Sequence, residues 1–597
     1  MDRLPGELLL YILSHLNFRD KLQCNLVSPE WHSCLKQTIL YQALVFRNST
    51  HLRQTIEFFT DTSCRESVHR LDMTFCELPV ASFMNLSLVF PKLKYLHIAD
   101  FDPKFKAPRR PLEMEAAILS SLEKSVQRWE YMQGIVERSG SYPILMSFLK
   151  APKPVHLTSI NITYNKRHGS IGKYQHNLRS LIRLTKNAPL LEQFCARFTF
   201  VSLLDFEELH QNCPKLHTIS ITTHVCDSTT DLDKWFDSEA DYNHFLPYHR
   251  ANMEGVLVEK TAQSLRHLKI KLAKSFMSVR ETEMTVLTIG NWLHYIGQKY
   301  PNLTTVDMHK ISNGLEGMQA PEKQFEQHMS FALSQMTSLQ VFNSNLVPLT
   351  ASVVQSIPNT TAKLSQCTLY SFRHYTIQKQ LERMQSLNNL DQLTVLHLIS
   401  NKNDKQRSPL KFKLLETFSN LTHLSFTSQV SNCKKQVSDI LANTPHLETL
   451  TLSGVCPVAL NPAPPLCMAS NKLKVLQIRR FNFFDPSDWF DLNLALKNDI
   501  LPHCPLLRRF DFSTVRAEYR SDVSFLLALD FRNSHHLQKV NINLLASTSY
   551  RIDGQKTEIA LCPLAVYPFL PKGFSEYTAC TLIDLPHPVV FNKDAIE

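Results

Sequence analysis

The feature that most constrains the fold is a recurring apolar pattern, Leu-x-x-Leu-x-Leu, in which other apolar residues also occupy the leucine positions. We count 15 copies, and 8 of the 14 intervals between their first residues measure 25–30 residues. A unit of this length cannot bury its apolar face alone, whereas stacked units bury it in one continuous core. The copies begin at Val68, Leu93, Leu157, Leu191, Leu216, Leu265, Leu303, Leu339, Leu364, Leu393, Leu421, Leu447, Leu473, Leu507 and Leu537.

The period is typical of a leucine-rich repeat, in which a short strand is followed by a returning helix. The segments between copies supply helices, for example 331–335 before Leu339 and 437–442 before Leu447. We therefore predict an α/β solenoid, an irregular leucine-rich-repeat horseshoe, over residues 46–545. Beyond Leu545 the pattern fades, and residues 546–597 are predicted to form a C-terminal cap or tail.

Two intervals are much longer than the rest and predict inserts near 101–155 and 223–262. The first contains an apolar 3/4 spacing that predicts a helical segment over 112–138. The second contains an acidic loop with Asp227, Asp231, Asp233, Asp237, Glu239 and Asp241. Inserts of this kind often lie on the binding side of a solenoid. Degenerate repeats joined by solvated linkers are an equally good interpretation.

The first 35 residues predict three short helices. Pro5 suits a first helical turn, and Leu8, Leu9, Ile12, Leu13 and Leu16 follow it as one apolar stripe. Asn17 can cap a second helix that presents Leu22, Leu26 and Val27. Ser28-Pro29-Glu30-Trp31 is a third start signal, with Ser28 as the N-cap. This segment carries more apolar surface than 35 residues can bury alone, so a partner protein is expected to cover it.

The same positions resemble an F-box, the module that docks onto the Skp-type adaptor of SCF ubiquitin ligases and, through it, onto cullin and RING subunits. The resemblance implies an F-box over residues 1–45. It assigns the adaptor-facing and core positions to Leu4, Pro5, Leu8, Ile12, Leu13, Leu16, Leu22, Val27 and Trp31. An unrelated N-terminal capping subdomain of the solenoid is the alternative.

Two repeat junctions add to the resemblance. Asn212-Cys213-Pro214 and His503-Cys504-Pro505 precede repeat leucines and look like the cysteine-containing repeats of F-box/leucine-rich-repeat proteins. His210 and His217 flank Cys213, but a core role for this cysteine fits the repeat better than a catalytic one.

No catalytic or cofactor motif is recognised. The sequence contains no GxGxxG, P-loop or GxSxG run, and the acidic loop lacks the spacing and glycine of an EF-hand. We expect no enzyme activity, no cofactor and no metal. The 14 cysteines form no CxxC pair, no signal peptide is predicted, and no apolar run approaches the 18 residues needed to span a membrane. The expected location is the cytoplasm, the nucleus or both.

The target is expected on the open sheet face, which we define as the third, fifth and seventh positions of each copy. These positions alternate with the inward fourth and sixth positions. Lys269, Lys271, Arg479 and Arg509 are the candidate target-binding residues, for an acidic or phosphorylated segment. An ordinary mixed polar surface is the simpler interpretation. Basic residues outnumber acidic ones at these positions. The seven basic residues are Arg70, Arg197, Lys269, Lys271, Arg479, Arg509 and Lys539, and the three acidic residues are Asp72, Asp307 and Asp511.

The sequence thus predicts the substrate-recognition subunit of an SCF-type E3 ubiquitin ligase whose target protein is unknown. The alternative is an F-box scaffold or protein-binding solenoid that directs no degradation. The net charge of +10 allows a third possibility, a nucleic-acid-binding solenoid. Nucleic acid is not expected, because basic and aromatic residues do not interleave on the strands.

Overall fold

The computed structural model confirms the α/β solenoid and divides the chain into two compact units, Met1–Leu303 and Thr304–Glu597. In both units, successive repeats add one parallel strand each to a sheet. The structure describes residues 5–591 with gaps at 15, 17–22, 25, 35–41, 61–62, 77–79, 100–111, 140–142, 151–154, 165–170, 226–238, 275–282, 312–321, 359–362, 373–374, 388–389, 401–411, 429–432, 459–471, 482–490, 493, 515–526, 532–533, 544–547, 554–555, 562–578 and 585–589.

The first unit contains parallel strands that pair in chain order. They are β1 (Ala43–Val45), β2 (Arg70–Met73), β3 (Tyr95–Ala99), β4 (Gly134–Arg138), β5 (Ser159–Thr163), β6 (Gln193–Thr199), β7 (Thr218–Val225) and β8 (His267–Lys274). The helices are α1 (Gly6–Ser14), α2 (Pro29–Cys34), α3 (Ser49–Thr60), α4 (Val80–Val89), α5 (Leu112–Val126), α6 (Pro143–Leu149), α7 (Ile171–Leu184), α8 (Leu203–Asn212), α9 (Glu239–Glu254) and α10 (Glu283–Lys299), with 3₁₀ turns at Ser63–Ser67 and Thr185–Asn187.

The second unit continues the same arrangement. Its main sheet contains β9 (Thr305–Ile311), β10 (Val341–Ser344), β11 (Gln366–Tyr370), β12 (Val395–Ser400), β13 (His423–Ser428), β15 (Thr449–Ser453), β17 (Val475–Phe481), β18 (Arg509–Thr514), β20 (Lys539–Asn543) and β24 (Val590–Phe591). Strands β14 (Cys433–Gln436) and β16 (Val455–Val458) form a separate parallel pair. A small mixed sheet contains β19 (Leu527–Asp530), β21 (Thr548–Asp553), β22 (Lys556–Leu561) and β23 (Ala579–Asp584).

Helices and 3₁₀ turns return the chain between the strands of the second unit. They are α11 (Glu322–Gln335), α12 (Ala351–Ser356), α13 (Ile377–Met384) and α14 (Val437–Asn443), with 3₁₀ turns at Leu390–Gln392, Phe412–Thr417 and Leu501–His503 and a π-helix at Ala495–Ile500. The helices predicted before Leu339 and Leu447 are α11 and α14.

The repeat pattern predicts the strands because each apolar position has one place in the core. All 15 copies coincide with strands that begin two residues after the first apolar residue. In the second unit the fourth-position residues align across neighbouring strands, as in Leu396, Leu424, Leu450 and Leu476. Each of these leucines is at most 1% exposed. Burying such side chains supplies the main favourable free energy of this fold, about 2 kcal/mol for each leucine.

One prediction needs correction. The helix predicted over 112–138 ends at Val126, and residues 134–138 form β4, which pairs with β3 and β5. The predicted insert near 101–155 therefore contains a further repeat, which begins at Met132, 25 residues before Leu157. The Leu-x-x-Leu-x-Leu pattern did not indicate this repeat, because a methionine occupies its first position and Glu137 occupies its inward sixth position. Two strands of the main sheet lie outside the predicted solenoid. β1, within the predicted F-box, pairs with β2, and β24, within the predicted C-terminal cap or tail, pairs with β20.

Candidate binding surfaces

The N-terminal helices share a small core. Leu9 and Leu13 of α1 are 4% and 0% exposed, and Leu16, Cys24 and Trp31 pack against them partly buried. The predicted third helix is present as α2, and its predicted cap is formed, because the Trp31 backbone N–H donates to Ser28 Oγ at 3.2 Å. Leu13 is therefore a core position of this subdomain, and Leu16 and Trp31 pack against the core while staying partly exposed.

A second apolar face of the same helices is exposed. Leu8 is 51% exposed and Ile12 is 45% exposed. Their neighbour Tyr11, which the apolar pattern did not indicate, is 65% exposed. These residues lie three and four positions apart and so share one side of α1. Leu26 and Val27, which were predicted on the second helix, lie in a turn instead and are exposed by 80% and 63%. The stripe predicted on α1 is thus two faces, one packed inward and one open. We call the exposed residues Leu8, Tyr11, Ile12, Leu26 and Val27 the exposed apolar surface.

The remaining F-box positions add little to this geometry. Pro5 is exposed and precedes α1 directly. Leu4 and Leu22 lie outside the described residues, as does most of the second predicted helix.

The open sheet face of the first unit is basic over five consecutive strands. From β4 to β8 its positions contain Arg138, Arg197, Lys269 and Lys271 and no Asp or Glu. The strand register places Arg138, Thr163, Arg197, Thr222 and Lys271 opposite one another across β4–β8. No described carboxylate forms an ion pair with Arg138, Arg197 or Lys271. Arg138 was missed because the strand that contains it was missed.

The open sheet face of the second unit is closer to neutral. Arg509 donates to Asp511 through Nε at 2.9 Å and through Nη2 at 2.8 Å. Gln477 Nε2 also donates to Asp511, at 2.7 Å. Arg509 is therefore already neutralised by its own strand, whereas Arg479 is exposed. Of the two candidate arginines in this unit, only Arg479 is well placed to meet an acidic ligand.

A polar network lies on the same face of the second unit. Asn343 Nδ2 donates to Asp307 Oδ1 at 3.3 Å, and the Tyr370 hydroxyl donates to Asn343 Oδ1 at 3.2 Å. His309 contacts both Asp307 and Tyr370. Burial raises the pKa of the Tyr370 hydroxyl, which therefore stays protonated and can donate. These side chains bond to one another and present a fixed polar surface.

The possible catalytic group around Cys213 is structural. Cys213 is fully buried and its thiol contacts the carbonyl oxygens of Thr185 and Ala188 at 3.8 and 3.7 Å. Burial raises the pKa of this thiol to about 11, so it is not a nucleophile at neutral pH. Burial lowers the pKa of His210 to about 3, and its Nε2 lies 2.9 Å from the Tyr300 hydroxyl. His217 instead lies beside Glu192.

Other kinds of site are not seen within the described ranges. No group of three or more His, Cys, Asp or Glu side chains in those ranges could hold a metal ion. The helices among the same residues are all too short or too polar to cross a bilayer. Most of the acidic loop, including Asp227, Asp231, Asp233 and Asp237, lies outside the described residues.

Comparison with known families decides what the N-terminal subdomain is. Residues 1–47 match the F-box-like family. The chain carries an F-box-like domain. A search of curated proteins gave no significant match. The F-box-like domain together with the leucine-rich-repeat fold indicates a protein-binding protein.

The chain also aligns with several solved structures. A TLR13–ssRNA13 complex aligns at 11% identity over 80% of this chain and 60% of that chain, with a TM-score of 0.33. The Rad7–Elc1 complex of yeast aligns at 14% identity over 85% and 88%, with a TM-score of 0.29. A leucine-rich-repeat protein of Bacteroides eggerthii aligns at 10% identity over 80% and 70%, with a TM-score of 0.26. This chain thus spans less than two thirds of the TLR13 chain, and scores this low carry no argument about function.

Proposed function

We propose that this chain is the substrate-recognition subunit of an SCF-type E3 ubiquitin ligase. Its F-box-like domain docks onto a Skp-type adaptor, and its repeats bind a target protein. The chain itself needs no catalytic group, because such a receptor accelerates ubiquitin transfer by raising the effective concentration of target lysines near the charged conjugating enzyme. The proposed location is the cytoplasm or nucleus.

The observation that supports the proposal is the exposed apolar surface. An F-box-like subdomain with its own core has no internal reason to leave Leu8, Ile12 and Val27 about half exposed or more. Covering one such side chain with a partner removes apolar area from water, at about 25 cal/mol for each Å². A second polypeptide on this face would therefore stabilise the complex and tether the repeats to a larger assembly.

The test is capture of a Skp-type adaptor by the full chain and by Leu8→Ala/Ile12→Ala. These residues are exposed, so their truncation leaves the small core of Leu9 and Leu13 intact. Truncating two anchors in a small interface typically costs about 2 kcal/mol or more each, so adaptor capture is expected to fall at least a hundredfold.

A matched control is available in the same unit. Leu88 and Leu287 are 55% and 46% exposed, close to the values for Leu8 and Ile12, and lie on other helices. Leu88→Ala/Leu287→Ala should capture the adaptor as the unmodified chain does. Equal capture by all three proteins would favour a capping subdomain over a docking module. If capture is lost as expected, ubiquitination of a bound protein then separates a ligase receptor from a non-degradative scaffold.

A further inference from the structure

The open sheet face of the first unit carries a regularly spaced row of cations, which we call the basic row. It comprises Arg138 on β4, Arg197 on β6 and Lys271 on β8, separated by Thr163 on β5 and Thr222 on β7. Arg138 and Arg197 are exposed and Lys271 is half-buried. Each is separated from the next by two strand spacings, which is about 9.5 Å.

This spacing restricts the backbone conformation of an acidic ligand that crosses the strands. A polyproline II segment rises about 3.1 Å per residue with three residues per turn, so every third side chain points the same way, about 9.3 Å apart. In an extended β-strand, side chains on one side recur about every 6.8 Å, which matches neither one strand spacing nor two. A polyproline II segment also leaves its backbone groups unpaired, so the hydroxyl of the half-buried Thr163, between Arg138 and Arg197, can bond to them.

We propose that the basic row binds an acidic segment in the polyproline II conformation, with a phosphorylated or carboxylate side chain at every third position. The inference rests on the proposed function, because it names the class of target that the repeats would recognise. Arg138 and Arg197 would each hold one acidic group through two parallel N–H bonds, and Lys271 would hold the third as a point charge.

The composition of the same strands disfavours nucleic acid. Sites for single-stranded nucleic acid combine a basic groove with aromatic side chains on which bases stack. The open-face positions of β4–β8 contain no Phe, Tyr or Trp. The neighbouring fifth-position residues on β5, β6 and β7 are Asn161, Cys195 and Ser220, which offer polar contacts but no stacking surface.

The test is fluorescence anisotropy with the full chain and labelled nine-residue peptides rich in proline. One peptide carries phosphoserine at positions 2, 5 and 8, and its isomer of equal charge carries it at positions 2, 4 and 6. We expect the first to bind at least tenfold more tightly, and a glutamate version shows whether carboxylates suffice. Equal binding of the two isomers would overturn the proposed spacing. A nine-nucleotide single-stranded RNA that binds as tightly as the first peptide would overturn the choice of ligand.

The residues are tested by Arg138→Gln/Arg197→Gln/Lys271→Gln. A matched variant, Arg128→Gln/Lys215→Gln/Arg250→Gln, removes the same charge from exposed positions outside the strands. Both variants remove the same net charge, so they weaken the general electrostatic attraction to the peptide equally. The first variant should nevertheless lose peptide affinity at least a hundredfold, whereas the affinity of the matched variant should stay within about twofold of the unmodified chain. Equal losses would refute the site.

Adaptor capture makes the two proposals separable. The basic-row variant should still capture the Skp-type adaptor, and its thermal unfolding should match that of the unmodified chain, which shows that its repeats are folded. A chain that captures the adaptor but binds none of the peptides would disprove this inference and leave the proposed function standing. A chain that binds the peptides but no adaptor would disprove the proposed function and leave the proposed peptide site standing.

Discussion

Glu137 is the side chain whose environment makes the clearest prediction about stability. It occupies an inward core position of β4 and is fully buried. Its carboxyl oxygens accept from the backbone N–H groups of Ile144 at 3.3 Å and Leu145 at 3.0 Å, at the start of α6. Burial raises the pKa of Glu137 from 4.5 to about 7, and these backbone bonds offset part of that rise.

The direction in which stability changes with pH follows from proton binding. The folded state holds a proton on Glu137 up to about pH 7, whereas the unfolded chain releases it near pH 4.5. The folded state therefore binds more protons over this range, and its stability falls as the pH rises from 4.5 to 7. The full cost above pH 7 is about 3 kcal/mol, and most of it develops between pH 5 and pH 8.

Hydrogen exchange measures this locally. Glu137→Gln stays neutral at every pH and keeps an oxygen that can accept from the α6 backbone. The opening free energy of residues 134–149 in the variant, minus that in the unmodified chain, should rise by about 2–3 kcal/mol from pH 5 to pH 8. Residues 395–428 in the second unit should show no such difference. A difference that does not change with pH would refute the reasoning, because it would show that the carboxylate stays ionised against the helix.

Two further predictions concern local stability. Lys299→Met removes the ammonium group that lies 2.6 Å from Glu207 and leaves the carboxylate charged without its ion-pair partner. Thermal unfolding of the first unit should show a loss of stability of about 3 kcal/mol or more, and Lys299→Met/Glu207→Gln should recover part of that stability. Gly454→Ala should cost more than Gly255→Ala in urea unfolding, about 3 kcal/mol against about 1 kcal/mol. Both glycines have positive φ, but only at Gly454 would a Cβ lie within 2.3 Å of a backbone carbonyl oxygen; equal losses would show that the backbone angle alone matters.

The strands could be predicted from the sequence because each repeat buries two or three apolar side chains at fixed offsets. The pattern failed where a different interaction fills the core position. At Glu137 the carboxyl group takes the place of a leucine and bonds to the next helix instead of packing. A hydrophobic pattern cannot indicate such a substitution, so β4 was assigned to a helix.

The F-box-like domain was predictable as a module but not as a surface. The offsets of Leu8, Leu9, Ile12 and Leu13 show that α1 is apolar over a wide arc. Which part of the arc faces inward depends on where the later helices cross α1, which sequence spacing does not determine. The structure places Leu9 and Leu13 inside, and with them Trp31. The signal for Tyr11 was present, since it lies three residues after Leu8, but a tyrosine can face either a core or water.

The charge on the open sheet face shows why counting residues along the chain is not enough. Arg509 and Asp511 lie two residues apart on one strand, so they share a face and neutralise each other. Arg138, Arg197 and Lys271 are far apart in sequence, yet the register of β4–β8 aligns them. A count of charged residues treats all five alike. In the sheet, Arg509 and Asp511 neutralise each other, whereas the three aligned cations add to one positive surface. The charge of the open sheet face is therefore determined by the order and register of the strands. One unpredicted strand, β4, was enough to leave the row of cations unrecognised in the sequence.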